Sequence, residues 1–354
     1  MFYRENGQFK TSYRADMQIF GVLQDRIAIA VLLVLALTVV PMFAGDYLLR
    51  AIVLPFLILA LAAIGLNILV GYCGQISLGT GAFMAVGAYA AWNIGVRLPG
   101  TPLIVQVLFG GVCATAVGIV FGIPSLRIRG LYLAATTLAA QFFVDWLFLR
   151  VSWFTNNSSS GSVSVPQMQI FGFPIVSAEH KYFVALGFVL VFALVAKNLA
   201  RGAVGRQWMA IRDMDVAAAV IGIRPMYAKL SAFAVSSFIV GIAGALWGYL
   251  YLGAWEPSAF NLDRSFQLLF MVIIGGLGSV VGAFFGAAFI VLLPIALSRL
   301  PAAIGLSLST ATVSHLEYMV FGALIIAFLI AEPHGLARLW AVGREKARLW
   351  PFPH

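Results

Sequence analysis

Charge is what this chain has least of. Only 10% of its 354 residues are Asp, Glu, Lys or Arg, and 62% are apolar. A soluble globular domain is nearer a quarter charged and half apolar, so an ordinary water-soluble fold is excluded. Cysteine is almost missing. Cys73 and Cys113 lie in or beside apolar runs with no second Cys or His at ligand spacing, so neither a disulfide framework nor a metal site is expected. No glycine is followed by lysine, so a GxxxxGK[ST] phosphate loop is absent and the chain is not its own P-loop ATPase. There is no HExxH, no GxSxG and no clustered His/Asp pair, which leaves a membrane-embedded enzyme without a catalytic constellation. The first residues are polar, so no cleavable signal peptide is expected at the very start. Residues 17–26 read equally as a short interfacial helix or a solvated tail.

What is there is apolar sequence in long pieces. Stretches of about 20 apolar residues are enough to cross ~30 Å of hydrocarbon as helix. The mean hydropathy is +0.99, and the 35 glycines suit helices that pack closely in lipid. The expected fold is all-α, a polytopic helical bundle of about ten spans, at roughly 27–45, 51–70, 74–95, 103–123, 131–149, 181–199, 230–252, 264–277, 280–298 and 315–331. The glycine-rich 74–95 is open to being partly re-entrant. Region 264–298 reads as two short spans broken at Gly275-Gly276-Leu277-Gly278 or as one long tilted helix.

Charge placement orients the bundle. Ten spans put both termini on one side, and sixteen of the 22 lysines and arginines fall on that side against six on the other. The positive-inside rule therefore gives N-in, C-in, and it favours two spans in 264–298. The net charge of +9 is spread between spans and not gathered in one patch, which excludes a nucleic-acid partner. Residues 1–26 and 332–354 become cytoplasmic tails around a transmembrane domain at 27–331. The longest internal loop is about 200–229, and the longest external one, about 150–180, is nearly uncharged.

Two segments look alike: GYCGQISLGTGAFMAVGAYAAW (71–92) and IIGGLGSVVGAFFGAAFIVLL (273–293). Each has a glycine cluster followed by Gly-Ala-Phe. Chance similarity of Gly/Ala-rich helices explains this as readily as a duplicated half, in which the substrate path lies at the repeat interface. Asn67, Gly74, Gln75, Ser77, Gly79, Thr80 and Gly81, with Gly276 and Gly278, are the candidate path residues, because freed backbone groups at membrane depth must line a cavity or meet protein. Asp145, near the outer end of its span, pairs with Arg150 or faces water on the plainer reading. Glu317 and His315 are explained by interfacial solvation, and Arg127 and Arg129 by topology and headgroup contact.

The internal loop holds a compact stretch, GRQWMAIRDMDVAAAVIGI (205–223). It reads as two short helices. Asp213 is placed to N-cap the second, with Asp215 in its first turn and Gly222 at the C′ position. Trp208 and Ile211 are three apart and share a face, framed by Arg206 and Arg212. Ala217, Ala218 and Ala219 allow another surface to approach closely. Trp208, Ile211, Val216, Val220 and Ile221 need a partner, either the chain's own span ends or a groove on a soluble protein.

The same loop, with its Gly-Arg…Ala-Ile-Arg…Asp…Ala-Ala…Gly-Ile frame and the following Lys-Leu-x-Ala-Phe, resembles the signature of branched-chain amino acid ABC-transporter permeases of the LivM type. The resemblance extends to residues 60–91, to GIPSLRIRGLYLAATTLA (122–139), to 273–288 and to the closing EPHGLARLW (332–340). It implies a bacterial inner-membrane subunit working with a second, LivH-type permease. Two cytoplasmic ATPases of the LivG and LivF type would carry ATP and Mg, and a periplasmic binding protein would deliver substrate. This chain would need no cofactor of its own. Gly205, Arg206, Trp208, Ala210, Ile211, Arg212, Asp213, Ala217, Ala218 and Gly222 would then belong to the element that receives the ATPase motion. Where the family usually has a Thr-Gly-Gly…Asn-Gly stretch outside, this chain has Asn156-Asn157-Ser158-Ser159-Ser160-Gly161-Ser162. That leaves branched-chain amino acids, urea, short amides and small carboxylates open as substrates. A secondary transporter is the rival, and the scarcity of acids in the spans counts against it.

The orientation is testable. Tags inserted at residue 158 should be labelled from the periplasm and tags at 204 or 354 from the cytoplasm. Labelling of 204 from outside would overturn the topology.

Overall fold

The computed structural model describes residues 11–12, 23–126, 131–158, 161–170, 172–303 and 335–349, with isolated positions between 312 and 330. Helix α1 opens as Leu23–Val34 and runs on through Leu35–Val39 to Val40–Phe43. Helix α2 is Asp46–Tyr72 in one run. Then come α3 (Thr80–Arg97), α4 (Leu103–Leu126), α5 (Leu131–Arg150), α6 (Ala178–Arg201) and α7 (Ala203–Val220). Helix α8 is Pro225–Leu252, and α9 (Leu262–Gly275), α10 (Val280–Ala303) and α11 (Gly335–Leu349) follow among the described residues. Sheet among the described residues is limited to two short ribbons. In one, β1 (Val163–Ser164) pairs with β4 (Ala254–Trp255); in the other, β2 (Gln169–Ile170) pairs with β3 (Phe173–Pro174).

This is an all-α, multi-span protein. Among the described residues six helices, α1, α2, α4, α6, α8 and α10, are long and apolar enough to cross a membrane. The expected last span at 315–331, with His315 and Glu317, lies largely outside the described residues, as do Arg127, Arg129 and most of 17–26.

Helix α2 is the axis. It is buried from Leu54 onward and is walled by α6, α8, α9 and α10. Helix α8 packs in turn on α3 and α4. These contacts are close because glycine faces backbone. A Cβ on Gly87 of α3 would collide with the carbonyl oxygen of Gly241 of α8, and one on Gly244 with the backbone of Met84. In lipid, where apolar burial separates nothing from its solvent, such close backbone approach is what holds helices together. Ends are capped as the sequence allows: Ser177 accepts from His180 N at 3.2 Å at the start of α6, and Asn261 accepts from Arg264 N at 3.2 Å at the start of α9.

Two expected spans are redrawn. Residues 74–79 are not helical, and α3 starts only at Thr80, so the entry into 74–95 is an extended segment followed by a helix. Region 264–298 is two helices broken at residues 276–279. The first, α9, has 14 residues, or ~21 Å of rise, which is short of a ~30 Å crossing. The segment 253–261 that precedes it, a short strand and a single 3-10 turn at Pro257–Phe260, continues the path. The segment 332–354 is more than a tail. Its helix α11 starts at Gly335 against the backbone of Ile274 and Gly276, and Trp340 packs on Phe285 with ring centroids 5.7 Å apart.

Overpacking a tight site costs roughly 1–3 kcal/mol. Gly87→Val should therefore lower the detergent melting temperature and the yield of monodisperse protein. Gly187→Val, at a site with nothing within 4 Å, should leave both near the parent values. Equal behaviour of the two variants would refute the close-contact account.

Candidate functional site

The two helix breaks meet. Asn67, in the last part of α2, uses both ends of its amide on the break between α9 and α10. Its Oδ1 accepts from Gly278 N at 2.9 Å and its Nδ2 donates to Ser279 O at 2.8 Å. Beyond Asn67 the helix widens to a π-turn over Ile68–Tyr72, and the chain leaves it through Gly74, whose φ is +71°. A Cβ on Gly71 would strike Gly278 N, so only glycine fits there.

A third element reaches this point. Arg212 of α7 donates from Nη1 to Gly71 O at 3.0 Å. Its Nε and Nη2 bind Asp213 Oδ1 at 3.0 and 2.9 Å, so the carboxylate aims the guanidinium at the carbonyl. Gly335 of α11 closes the far side against Gly276. The internal loop and the C-terminal helix thus share one end of the bundle, as the charge pattern requires.

From the inner break the chain climbs. Leu78 N donates to Thr137 Oγ1 at 2.9 Å, and Thr137 lies six residues into α5, ~9 Å along it. From the other side, residues 253–261 descend until Phe260 O accepts from Gln141 Nε2 at 2.9 Å. Gln141 joins the two segments. Its Oε1 accepts from Ala82 N at 2.7 Å and from Ser265 Oγ at 3.0 Å, while Ser265 Oγ accepts from Gly81 N at 2.7 Å. Gln141 Nε2 also donates to the Asp145 carboxylate at 3.1 and 3.2 Å. Asp145 is therefore held by its own helix and not by Arg150. Next to this seam, Gln75 Oε1, Ser77 Oγ and Thr80 Oγ1 are buried with no partner among the described residues. Native proteins leave few such groups, which marks the 75–80 segment as polar surface without a protein ligand.

The outer end is covered by a row of donors on α3. Tyr89 OH, Trp92 Nε1, Asn93 Nδ2 and Arg97 Nη2 donate to the carbonyls of Gly161, Ser164, Phe154 and Trp153 at 2.9, 2.8, 2.8 and 2.8 Å. Pairing of β1 with β4 then ties this external loop to the descending 253–261 segment.

Of the sequence-predicted residues, Asn67, Gly74, Gly276 and Gly278 gather at the inner break, and Gln75, Ser77, Gly79, Thr80 and Gly81 along the rising segment. Helix α7 is two helices joined at Met214, whose φ and ψ of −160° and 98° are non-helical. The cap position is thus Met214 and not the expected Asp213, whose carboxylate is taken by Arg212. Gly222, at φ +93°, closes the second helix: Ile223 N bonds Ala218 O at 3.0 Å and Gly222 N bonds Ala219 O at 3.1 Å, the C-terminal pattern a glycine at C′ permits. The first helix packs inward. Gly205, Trp208 and Ile211 are buried, Ala210 is half-buried, Arg206 caps Arg201 O at 3.0 Å, and Trp208 Nε1 donates to Ser231 Oγ at 2.9 Å. The second differs from expectation. Ala218 is buried against the chain itself, Ala217 and Ala219 face out, and Val216, Val220 and Ile221 stay exposed, Val220 at 83%.

A family model described as branched-chain amino acid transport system / permease component matches residues 48–329. The chain belongs to this permease family. The permease is 28% identical over 303 residues to the high-affinity branched-chain amino acid transport system permease protein LivM of Escherichia coli K12, covering 79% of this chain and 68% of that one. It is 29% identical over 258 residues to the Salmonella typhimurium protein of the same name, with 66% and 60% covered. It is 25% identical over 270 residues to a probable LivM of Methanocaldococcus jannaschii, with 72% and 76% covered. No solved structure matches. The permease is a multi-pass cell-membrane subunit of an ATP-binding-cassette importer, a transport component and not an enzyme.

Sequence reasoning missed Gln141 and Ser265. The available signal was the Gln141–Asp145 spacing of four on an otherwise apolar helix. Gln141→Leu keeps the volume but strands the amide of Ala82 and the carbonyl of Phe260. Each unsatisfied buried group costs about 1–3 kcal/mol. The variant should melt several degrees lower than the parent in detergent and lose uptake, whereas Gln141→Glu should retain more of both. A Leu variant as stable as the parent would show that the seam does not hold the two segments.

Proposed function

We propose that the permease forms, with a second permease subunit, the membrane path of an importer for branched-chain amino acids, the solutes named for its relatives. A periplasmic binding protein delivers the solute, and two cytoplasmic ATPases, which carry ATP and Mg, drive the cycle. In this reading the second half of α7 meets an ATPase, and the first half is the chain's own anchor. The exposed Met214, Val216, Val220 and Ile221 support the first statement, since apolar groups at a helix surface suit a groove on a partner. The buried Trp208 and Ile211 support the second.

The observation that carries the proposal is the bond from Arg212 to Gly71 O. Any displacement of α7 is applied directly to the point where the breaks of α2 and of α9–α10 are joined. A docking surface elsewhere on the loop would have no such lever. Lys229, 3.8 Å from Asp215, gives the second helix a further hold on α8.

Two variants separate docking from transmission. Val220→Glu should reduce ATPase co-purification per folded permease by about tenfold or more, as loss of a central apolar contact does. Arg212→Gln should leave ATPase co-purification and folded yield unchanged while uptake falls at least about tenfold, the order expected for a charge-assisted bond of ~1.5–3 kcal/mol. Normal uptake by Arg212→Gln would sink the transmission reading. Retention of the ATPases by Val220→Glu would sink the docking reading. Analysis of the ligand carried by the co-purified binding protein tests the substrate.

A further inference from the structure

At the outer end of the bundle, three helix ends leave a cavity of ≈ 190 Å³ lined by Arg50, Ala51, Leu54, Lys181, Leu250 and Tyr251. Arg50 stands near the start of α2, Lys181 in the first turn of α6 and Tyr251 at the end of α8. The lining has two cations and no carboxylate. Among the described residues, neither cationic head has a hydrogen-bond acceptor or an ion-pair partner. Arg264, which reaches the last turn of α8, differs: its Nη1 donates to Gln267 Oε1 at 2.5 Å and its guanidinium lies 4.6 Å from the Trp247 ring centre. Two like charges that share one small, partly apolar space repel each other. An anion between them reverses that term, and a guanidinium fork beside an ammonium is a good match for a phosphate.

The remaining walls narrow the ligand. A zwitterionic amino acid would bring an ammonium, and the only side-chain acceptor in the lining is the Tyr251 hydroxyl. Leu54 and Leu250 instead offer an apolar wall directly beside the basic rim, which suits an amphiphile with its charge at the membrane surface. Long basic side chains at helix ends reach for that surface. We propose that Arg50 and Lys181 form a phosphate site filled by the headgroup of an anionic phospholipid of the outer leaflet. Both residues are among the six basic positions on the external side, where topology gives them no purpose.

The test uses the assembled transporter containing the full-length chain. It is placed in nanodiscs of mixed phosphatidylcholine and phosphatidylglycerol, and retained lipid is read by native mass spectrometry after release into detergent. The parent should retain phosphatidylglycerol over phosphatidylcholine. Arg50→Gln with Lys181→Gln should lose that preference by roughly tenfold or more, and Lys181→Arg should keep it. Melting in a neutral detergent with and without inorganic phosphate forms the second arm. If phosphate stabilises the parent and not the double variant while lipid retention is equal, the phosphate site stands and its lipid source is wrong. If the parent and double variant agree in both arms, with matching elution profiles to show that both are folded, the proposal is overturned.

Discussion

One asparagine side chain makes two interrupted helices behave as one body. Backbone that leaves a helix at membrane depth has no water to bond, so each freed group must find protein. Asn67 supplies a donor and an acceptor at once to Gly278 and Ser279, and the rest of the inner end is arranged around that joint. Glycine at 71 lets the two backbones touch, and Gly335 brings the C-terminal helix against the far side. Remove the amide and the joint would hold two unpaired backbone groups in a place where each is expensive.

The same constraint recurs at mid-depth, where a glutamine answers it. Gln141 meets a segment rising from one face and a segment descending from the other, and Ser265 extends its reach to Gly81. The two joints are alike in logic. Each uses a carboxamide, which accepts and donates in the same plane, and each binds segments distant in sequence. Between them run Gln75, Ser77 and Thr80, with buried polar atoms that neither joint satisfies.

Much of this was legible in the sequence, and the failures have physical causes. Long apolar runs fixed the class, and glycine clusters marked both breaks, because helices rarely tolerate such clusters without one. The shared face of Trp208 and Ile211 followed from helical spacing. The cap at Asp213 was misplaced by one residue because the sequence does not show that Arg212 competes for its carboxylate. Val216, Val220 and Ile221 were read as needing cover and stay exposed; composition is silent on whether cover comes from the chain or from another protein. Gln141 escaped notice since its distant partners lie 59, 119 and 124 residues away, and all three are backbone or hydroxyl groups that carry no pattern.

The row of donors on α3 has a consequence for how the outer surface can change over time. Tyr89, Trp92, Asn93 and Arg97 all grip carbonyl oxygens of the external loop. A carbonyl is present whatever residue carries it. The loop is therefore clamped by its main chain, and the grip does not depend on which side chains the gripped residues carry. Those side chains can be exchanged to suit a different visiting protein or solute while the loop keeps its seat. Scaffold and recognition are separated along one short piece of chain.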